Sequence, residues 1–250
     1  LNWLYTDSRH RLWVVGRKGR IFRYDTARDR FVMTYKLSDL QDDVTSGTVN
    51  CTYMDSNDRI WLGHGDSIVR YDTRAGTTDR IDSPAPDDIT AITQTDSTNF
   101  FIGTSNGLLQ TIEKEGVLET VAGTYTDSIR IPVSELYFHQ DSKKLFIGTF
   151  KEGIIAYGMN TTSTIIADGP LQNVAIKRIT PFGKRQLLVA TGGRGVYKID
   201  VDSLSARPYI TADYSNYNGM NGNNINDIYV DEDGRIWMAN YPTGITIRND

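Results

Sequence analysis

Apolar and polar residues alternate along this chain in short bursts cut by turn-forming residues, and one burst returns every 40–50 residues or so. Leu1–Trp13 reads L-N-W-L-Y-T-D-S-R-H-R-L-W, Val49–Trp61 reads V-N-C-T-Y-M-D-S-N-D-R-I-W, and Ile225–Trp237 reads I-N-D-I-Y-V-D-E-D-G-R-I-W. The three align without a gap: Tyr5 with Tyr53 and Tyr229, Asp7 with Asp55 and Asp231, Arg11 with Arg59 and Arg235, then the three tryptophans. Weaker copies end at Phe101, Phe146 and Leu188.

Within each unit the local chemistry predicts the strands. A first strand such as Ile225–Val230 carries apolar residues on both faces, as a strand sandwiched between neighbours does. A polar turn follows, such as Asp55-Ser56-Asn57-Asp58, where Asp and Asn bond their own following backbone. The second strand is the anchor segment around Trp13, Trp61, Phe101, Phe146, Leu188 and Trp237. A turn holding Gly19, Gly107, Gly153, Gly195 or Gly244 leads to a third strand, and a weak fourth strand such as Phe31–Tyr35 completes the unit. The period suits a four-stranded blade, and amphipathic helical periodicity is missing. The expected fold is all-β: a β-propeller of four-stranded antiparallel blades in one domain, with repeats of about 1–48, 49–88, 89–132, 133–173, 174–224 and 225–250. The last repeat lacks a fourth strand, so the ring is expected to be completed by sequence outside this stretch, with seven blades as one outcome.

Composition narrows the classes. The chain has 250 residues, 39% hydrophobic and 23% charged, ordinary for a globular protein. A net charge of -4 gives no electrostatic case for a nucleic-acid partner. No apolar run approaches the roughly 18–20 residues that cross a bilayer, so this region is expected to make no membrane contact of its own. The single cysteine, Cys51, falls in a repeated strand and is expected to be a small buried residue. The start at Leu1, with neither an initiator methionine nor a signal peptide, suggests an excerpt of a longer polypeptide.

The repeat resembles a known family. Its pattern, loosely N-x-I-x-x-I-Y-x-D-x-x-G-R-I-W-x-x-x-x-x-x-G-I, is similar to the regulator propeller repeats in the periplasmic sensor regions of hybrid two-component histidine kinases. Asn218–Gly244 is the closest match and Val49–Asp72 follows, whereas the first unit has His10 where the turn usually has glycine, and the third to fifth have lost the tryptophan. The resemblance implies a periplasmic ectodomain of an inner-membrane protein that detects glycan fragments and controls a kinase elsewhere in the chain. Its implied partners are a small carbohydrate, neighbouring domains and a second ectodomain.

Motifs that suggest chemistry have plainer readings. His10, His64 and His139 fall in different units without metal-ligand spacing, and no nucleophile elbow is present. Asp231-Glu232-Asp233-Gly234 looks like the start of a calcium loop, but Arg235-Ile236-Trp237 continues as a strand, so a hairpin turn is expected. Gly192-Gly193-Arg194-Gly195 is likewise read as a turn, since a phosphate cradle needs a helix after it. Asn160-Thr161-Thr162 fits a glycosylation pattern and is discounted. No catalytic residue, metal site or cofactor is expected, and the three tryptophans are read as blade-to-blade core.

Topology points to a ligand face. The turn from second to third strand and the connection into the next blade share one end of an antiparallel blade. That end gathers the candidate binding residues Arg17, Lys18, His64, Phe150, Lys151, Arg194, Tyr214, Tyr217, Asn240 and Tyr241, with Asp42, Asp43, Asp66, Asn106, Tyr125 and Asp127 on the same turns and loops. Aromatic, basic and amide groups on variable loops over a rigid scaffold suit a sugar. The same residue types suit protein contact, so an interaction scaffold is an alternative, and a propeller lyase or hydrolase with its site in a central channel is a second.

Overall fold

Period-two stretches of four to seven residues, cut by Asp, Asn and Gly, form strands. The structure is a computed structural model and describes residues 3–37, 48–83, 85–121, 129–158, 164–165, 171–213, 215, 219–220 and 222–249. Among these residues there is no α-helix. The chain divides into two compact units, Leu1–Arg130 and Ile131–Asp250.

The first unit contains three antiparallel sheets. They are β1 (Trp3–Thr6), β2 (Leu12–Val15), β3 (Arg20–Asp25) and β4 (Arg30–Lys36); β5 (Val49–Met54), β6 (Arg59–His64), β7 (Ser67–Asp72) and β8 (Thr78–Asp82); and β9 (Ile89–Gln94), β10 (Asn99–Thr104), β11 (Leu108–Lys114) and β12 (Val117–Thr120). The second unit contains β13 (Val133–His139), β14 (Lys144–Thr149), β15 (Ile154–Gly158) and β16 (Thr164–Ile165); β17 (Ile176–Pro181), β18 (Gln186–Thr191), β19 (Val196–Asp200) and β20 (Ala206–Ile210); and a three-stranded sheet of β21 (Ile225–Val230), β22 (Ile236–Asn240) and β23 (Gly244–Arg248). Strands pair in chain order within every sheet, which is the blade of a β-propeller. The repeat alignment is reproduced in register: Tyr5 faces Trp13, Tyr53 faces Trp61 and Tyr229 faces Trp237. In five sheets a β-bulge interrupts the first pair at its start, for example between Val49 and Cys51.

Burial on both faces belongs to the two central strands: in the third strands Ser67–Tyr71, Ile154–Tyr157 and Val196–Ile199 are buried throughout, and the second strands match them. Ile60–Gly63, Phe100–Thr104, Leu145–Thr149 and Leu187–Thr191 are continuously buried. These strands have neighbours on both edges and, in the paired sheets, a packed sheet on a face. One cluster joins Trp13, Val15 and Ile21 to Ile60, Leu62 and Tyr71, and another joins Trp61 and Ile68 to Ile89, Phe100 and Ile102. The second unit repeats this, with Phe146 and Ile154 against Ile176 and Val189, then Leu188 and Val196 against Ile225 and Met238. The contact is close where the second strand carries glycine. A Cβ on Gly63 would stand 2.7 Å from Cγ2 of Ile89, and one on Gly148 would stand 2.7 Å from Cγ2 of Ile176. Cys51 is buried, as its repeat position predicts.

The repeated Asp, Arg and Trp act together. Oδ2 of Asp55 accepts from Nε1 of Trp61 at 2.8 Å and from Nε of Arg59 at 2.6 Å, while its Oδ1 accepts from the backbone N–H of Asn57 and Arg59. Asp7 does the same for Trp13 and Arg11, and Asp231 for Trp237 and Arg235. Burial pushes the Asp7 carboxyl up, but the bonds from Trp13 and Arg11 outweigh it and hold the group below its ordinary range. Thus one carboxylate closes the turn and satisfies a tryptophan N–H that is buried in the first two sheets. The Asp231 turn is this hairpin turn, with its carboxylate taken up by Trp237 and Arg235. Its fourth position requires positive φ: His10 adopts 57°, Asp58 62° and Gly234 80°.

Sheets without the tryptophan hold the opposite turn instead. In these, the N–H and hydroxyl of Thr104, Thr149 and Thr191 both donate to the carbonyl of Gly107, Gly153 and Gly195 respectively. Gly153 and Gly195 have φ of 85° and 76°, and a Cβ there would lie 2.3 and 2.4 Å from a carbonyl oxygen of the adjoining chain.

One expectation fails. Trp237 is not core: it is 37% exposed, and its cross-strand partner Tyr229 is 62% exposed. Trp13 and Trp61 are covered by rings of the following sheet, Tyr71 at 5.9 Å and Phe100 at 4.6 Å, whereas among the described residues no ring stacks on Trp237.

The Asp–Trp pair makes a double-mutant prediction. Asp55→Ala leaves the Trp61 N–H without its acceptor and Arg59 with Glu113 as its remaining carboxylate, and is expected to cost roughly 3 kcal/mol. In a Trp61→Phe background the same change is expected to cost less by about 1–3 kcal/mol, because the donor has gone. Urea unfolding of the four proteins measures the coupling; additive losses would show that the pair does not act as a unit.

Candidate functional site

The turns between second and third strands carry most of the predicted binding residues, and backbone bonds tie them to the neighbouring sheet. Val49 N–H donates to the carbonyl of Arg17, and Ile89 N–H to that of Gly65, each at 2.7 Å. In the second unit Gly195 N–H donates to the carbonyl of Asn223, at the entry to the next sheet, at 2.8 Å, while the bonds from Phe150 N–H to Pro132 O and from Tyr241 N–H to Asn224 O join each turn to the first-strand entry of its own sheet. The turn and the entry to a first strand therefore share one end of the sheet, as the antiparallel order requires.

In the first unit this end holds Arg17 and Lys18, both exposed, and half-buried His64. Nε2 of His64 is buried without a hydrogen-bond partner. Beside it a cavity of about 340 Å³ is lined by Asp66, Ser67, Arg80, Asp82, Ser83, Ala85 and Pro86. Arg80 and Asp82 stand 3.9 Å apart in a loose ion pair. Carboxylates and hydroxyls flanking a guanidinium form a polar cleft suited to hydroxyl-bearing ligands. Arg80 and Asp82 were missed by sequence reading because they sit on the weak fourth strand; the polar run from Asp79 to Asp88 was the available signal.

In the second unit the same kind of turn carries exposed Phe150, Lys151, Arg194 and Tyr241, and buried Asn240. Asn240 donates to Oγ1 of Thr246 at 3.2 Å, while its Oδ1 is buried without a partner. Tyr241 precedes Pro242 through a cis peptide bond. The glycine turn at 192–195 is not a phosphate cradle: the N–H groups of Gly193 and Gly195 both donate to Asn223 O, and Gly192 N–H donates to Ala175 O. Tyr214 and Tyr217 lie outside the described residues, as do Asp42, Asp43, Tyr125, Asp127 and the Asn160 sequon.

The histidines have local roles. Ser142 N–H donates to Nδ1 of His139, so Nε2–H donates to Lys184 O at 3.0 Å. Among the described residues no group of three His, Cys, Asp or Glu is placed to hold a metal.

A charged row crosses the first strands of the second unit. Arg178 on β17 lies 3.4 Å from Glu135 on β13 and 3.4 Å from Asp227 on β21. All three follow the bulge at the same repeat position, which holds Cys51 and Ala91 in the first unit. Burial pushes the Glu135 carboxyl up to about 7; Arg178 opposes the shift and Asp227 adds to it.

With this geometry in place, comparison defines the class. Residues 219–241 match the family model described as two component regulator propeller. The chain superposes with a TM-score of 0.64 at 19% identity on the extracellular domain of a protein described as a hybrid two-component system of B. thetaiotaomicron, over 98% of this chain and 37% of that one. A second such domain from that organism gives 0.55 at 15% identity, covering 99% and 38%. A chain of a mitotic checkpoint complex gives 0.69 at 13% identity, covering 100% and 73%. None of the curated proteins matches the sequence. These likenesses to solved structures establish the propeller fold. The match at 219–241 falls within Asn218–Gly244, so the resemblance read from that stretch is borne out. The chain spans 37% of the length of the first of these two-component relatives.

Glu135 generates a pH prediction. Its folded pKa of about 7 lies above the ordinary 4.5, so its contribution is full below 4.5 and is lost as the pH rises through 7. Glu135→Gln mimics the protonated form. It is expected to leave stability nearly unchanged at pH 4 and raise it at pH 8 by up to roughly 3 kcal/mol, at about 1.4 kcal/mol per pKa unit. Denaturant melts at the two pH values check this.

Proposed function

We propose that this chain forms part of the extracytoplasmic, periplasmic sensor propeller of a two-component signalling receptor, and that it acts by binding rather than by catalysis. The observation that carries this reading is the two-component regulator propeller repeat at 219–241. The likeness in fold to extracellular domains described as belonging to hybrid two-component systems supports it.

In this reading the ligand is an oligosaccharide or glycan fragment held without covalent chemistry. Asp66 and Asp82 accept sugar hydroxyls, Ser67 and Ser83 donate or accept, and Arg80 donates to ring or hydroxyl oxygens. A cavity of about 340 Å³ stands at the small end of ligand pockets, which run to roughly 1,000 Å³. The rim residues Arg17, Lys18 and His64 extend the same end of the unit. Binding favours one arrangement of the receptor and so biases a kinase elsewhere in the polypeptide, to the extent that affinity differs between arrangements.

Calorimetric titration of the intact ectodomain with a panel of oligosaccharides tests the proposal. One glycan class is expected to bind, and Arg80→Ala is expected to weaken it at least about tenfold, a loss of about 1.4 kcal/mol. Absence of binding to every glycan in the panel by folded ectodomain would overturn it.

A further inference from the structure

The third residue after each anchor stands where the second strand meets its turn: Gly16, His64, Thr104, Thr149, Thr191 and Asn240. In the three threonine sheets both the N–H and the hydroxyl of that residue serve the turn, donating to the carbonyl of Gly107, Gly153 or Gly195. His64 does otherwise. Its turn is closed from the opposite strand, where Ser67 Oγ donates to the His64 carbonyl at 3.0 Å, and the imidazole takes no part. Nε2 of that imidazole is buried with no hydrogen-bond partner. Asn240, the counterpart in the last sheet, likewise has a buried Oδ1 without one. An unpaired buried polar atom is unfavourable, so a group kept in that state calls for a reason outside the fold.

Strand register supplies the reason for His64. It lies opposite Ser67 on β7, and Ser67 lies opposite Asp82 on β8, so the three form one cross-strand row. Cross-strand partners project from the same face of a sheet, and Arg80, two residues before Asp82, shares that face. Ser67, Arg80 and Asp82 line the cavity of about 340 Å³. His64 therefore ends the row from which the cavity draws its polar wall. Its neighbours there are already engaged: Ser67 with the His64 carbonyl, Arg80 and Asp82 with each other at 3.9 Å. The imidazole Nε2 is the polar group of this row left unanswered.

We propose that His64 is the specificity-determining residue of this cavity, exchanging a hydrogen bond through Nε2 with one hydroxyl of a neutral saccharide whose other hydroxyls meet Ser67 and Asp82. The inference rests on the cavity being a glycan site. Turning Nε2 into the cavity is a rotation of a half-buried ring at the end of its strand. A hydroxyl is the fitting partner because it both donates and accepts, and so suits either tautomer of a neutral imidazole. A sugar that lacks or inverts that hydroxyl leaves Nε2 unpaired again, which is how a polar site rejects a close analogue.

Three substitutions in the intact ectodomain test this. His64→Phe keeps a ring and removes the nitrogens, His64→Gln keeps an amide near the place of Nε2, and His64→Asn keeps one near Nδ1. Without ligand, His64→Phe is expected to hold or raise the thermal midpoint, because an unpaired polar atom has gone. A fall in midpoint would assign the imidazole to the fold and overturn the proposal. Calorimetry then uses cellohexaose, xylohexaose, mannohexaose and laminarihexaose as probes. For a probe that binds, His64→Phe and His64→Asn are expected to weaken binding at least about tenfold, with His64→Gln within about threefold of the parent. Equal binding by parent and His64→Phe would overturn the role of His64 and leave the glycan site standing. Failure of the folded parent to bind any of the probes would overturn the glycan reading and this inference with it.

Discussion

A buried indole N–H must find an acceptor, and meeting that need organises these sheets. Leaving such a donor unpaired costs about 1–3 kcal/mol, comparable to a sizeable share of the stability of a domain. Asp7 and Asp55 meet the need for Trp13 and Trp61, and the same oxygens collect the arginine and turn N–H groups. Where the tryptophan is replaced by Phe101, Phe146 or Leu188, the donor is gone, and Thr95, His139 or Phe182 stands in place of the aspartate. The two positions change together because each is pointless without the other. In the sheet of Phe182 the space serves another purpose: the Lys198 ammonium lies 4.3 Å from the Phe182 ring centre and 3.7 Å from that of Tyr209.

Much of this was legible in the residues. The alignment of Tyr, Asp, Arg and Trp at fixed offsets located first strand, turn and second strand, because each plays one part in a local hydrogen-bonded unit spanning seven residues. Glycine at the second turn was legible for an equally local reason: positive φ with a carbonyl in the way of any Cβ. Exposure of Trp237 was not legible, since the motif specifies the hydrogen bonds of an indole and leaves open what lies over its ring. Double-sided burial also proved to belong more to the second strand than to the first, because it depends on which strand is central in the sheet.

The polar features were harder to read. Glu135, Arg178 and Asp227 are separated by more than forty residues from one to the next and meet only because sheets stack in register. Aligning the repeats brings them into one column, yet a column containing Cys51 and Ala91 as well reads as tolerant until distances are known. Arg80 and Asp82 sit on an edge strand with little pattern, so their cavity emerges only from the fold of the loop after them. Of the named ligand-face residues, those in the second-to-third turns are at the predicted end. Chemical selectivity among them depends on side-chain directions that no repeat encodes.

The bonds from Val49 N–H to Arg17 O and from Ile89 N–H to Gly65 O have a mechanical consequence. Any displacement of one of these turns is felt at the carbonyl to which the next sheet's first strand is bonded. The load passes through main-chain atoms, which every residue except proline can supply on the donor side. Side chains on these turns are therefore free to diversify without cutting the main-chain link between one sheet and the next.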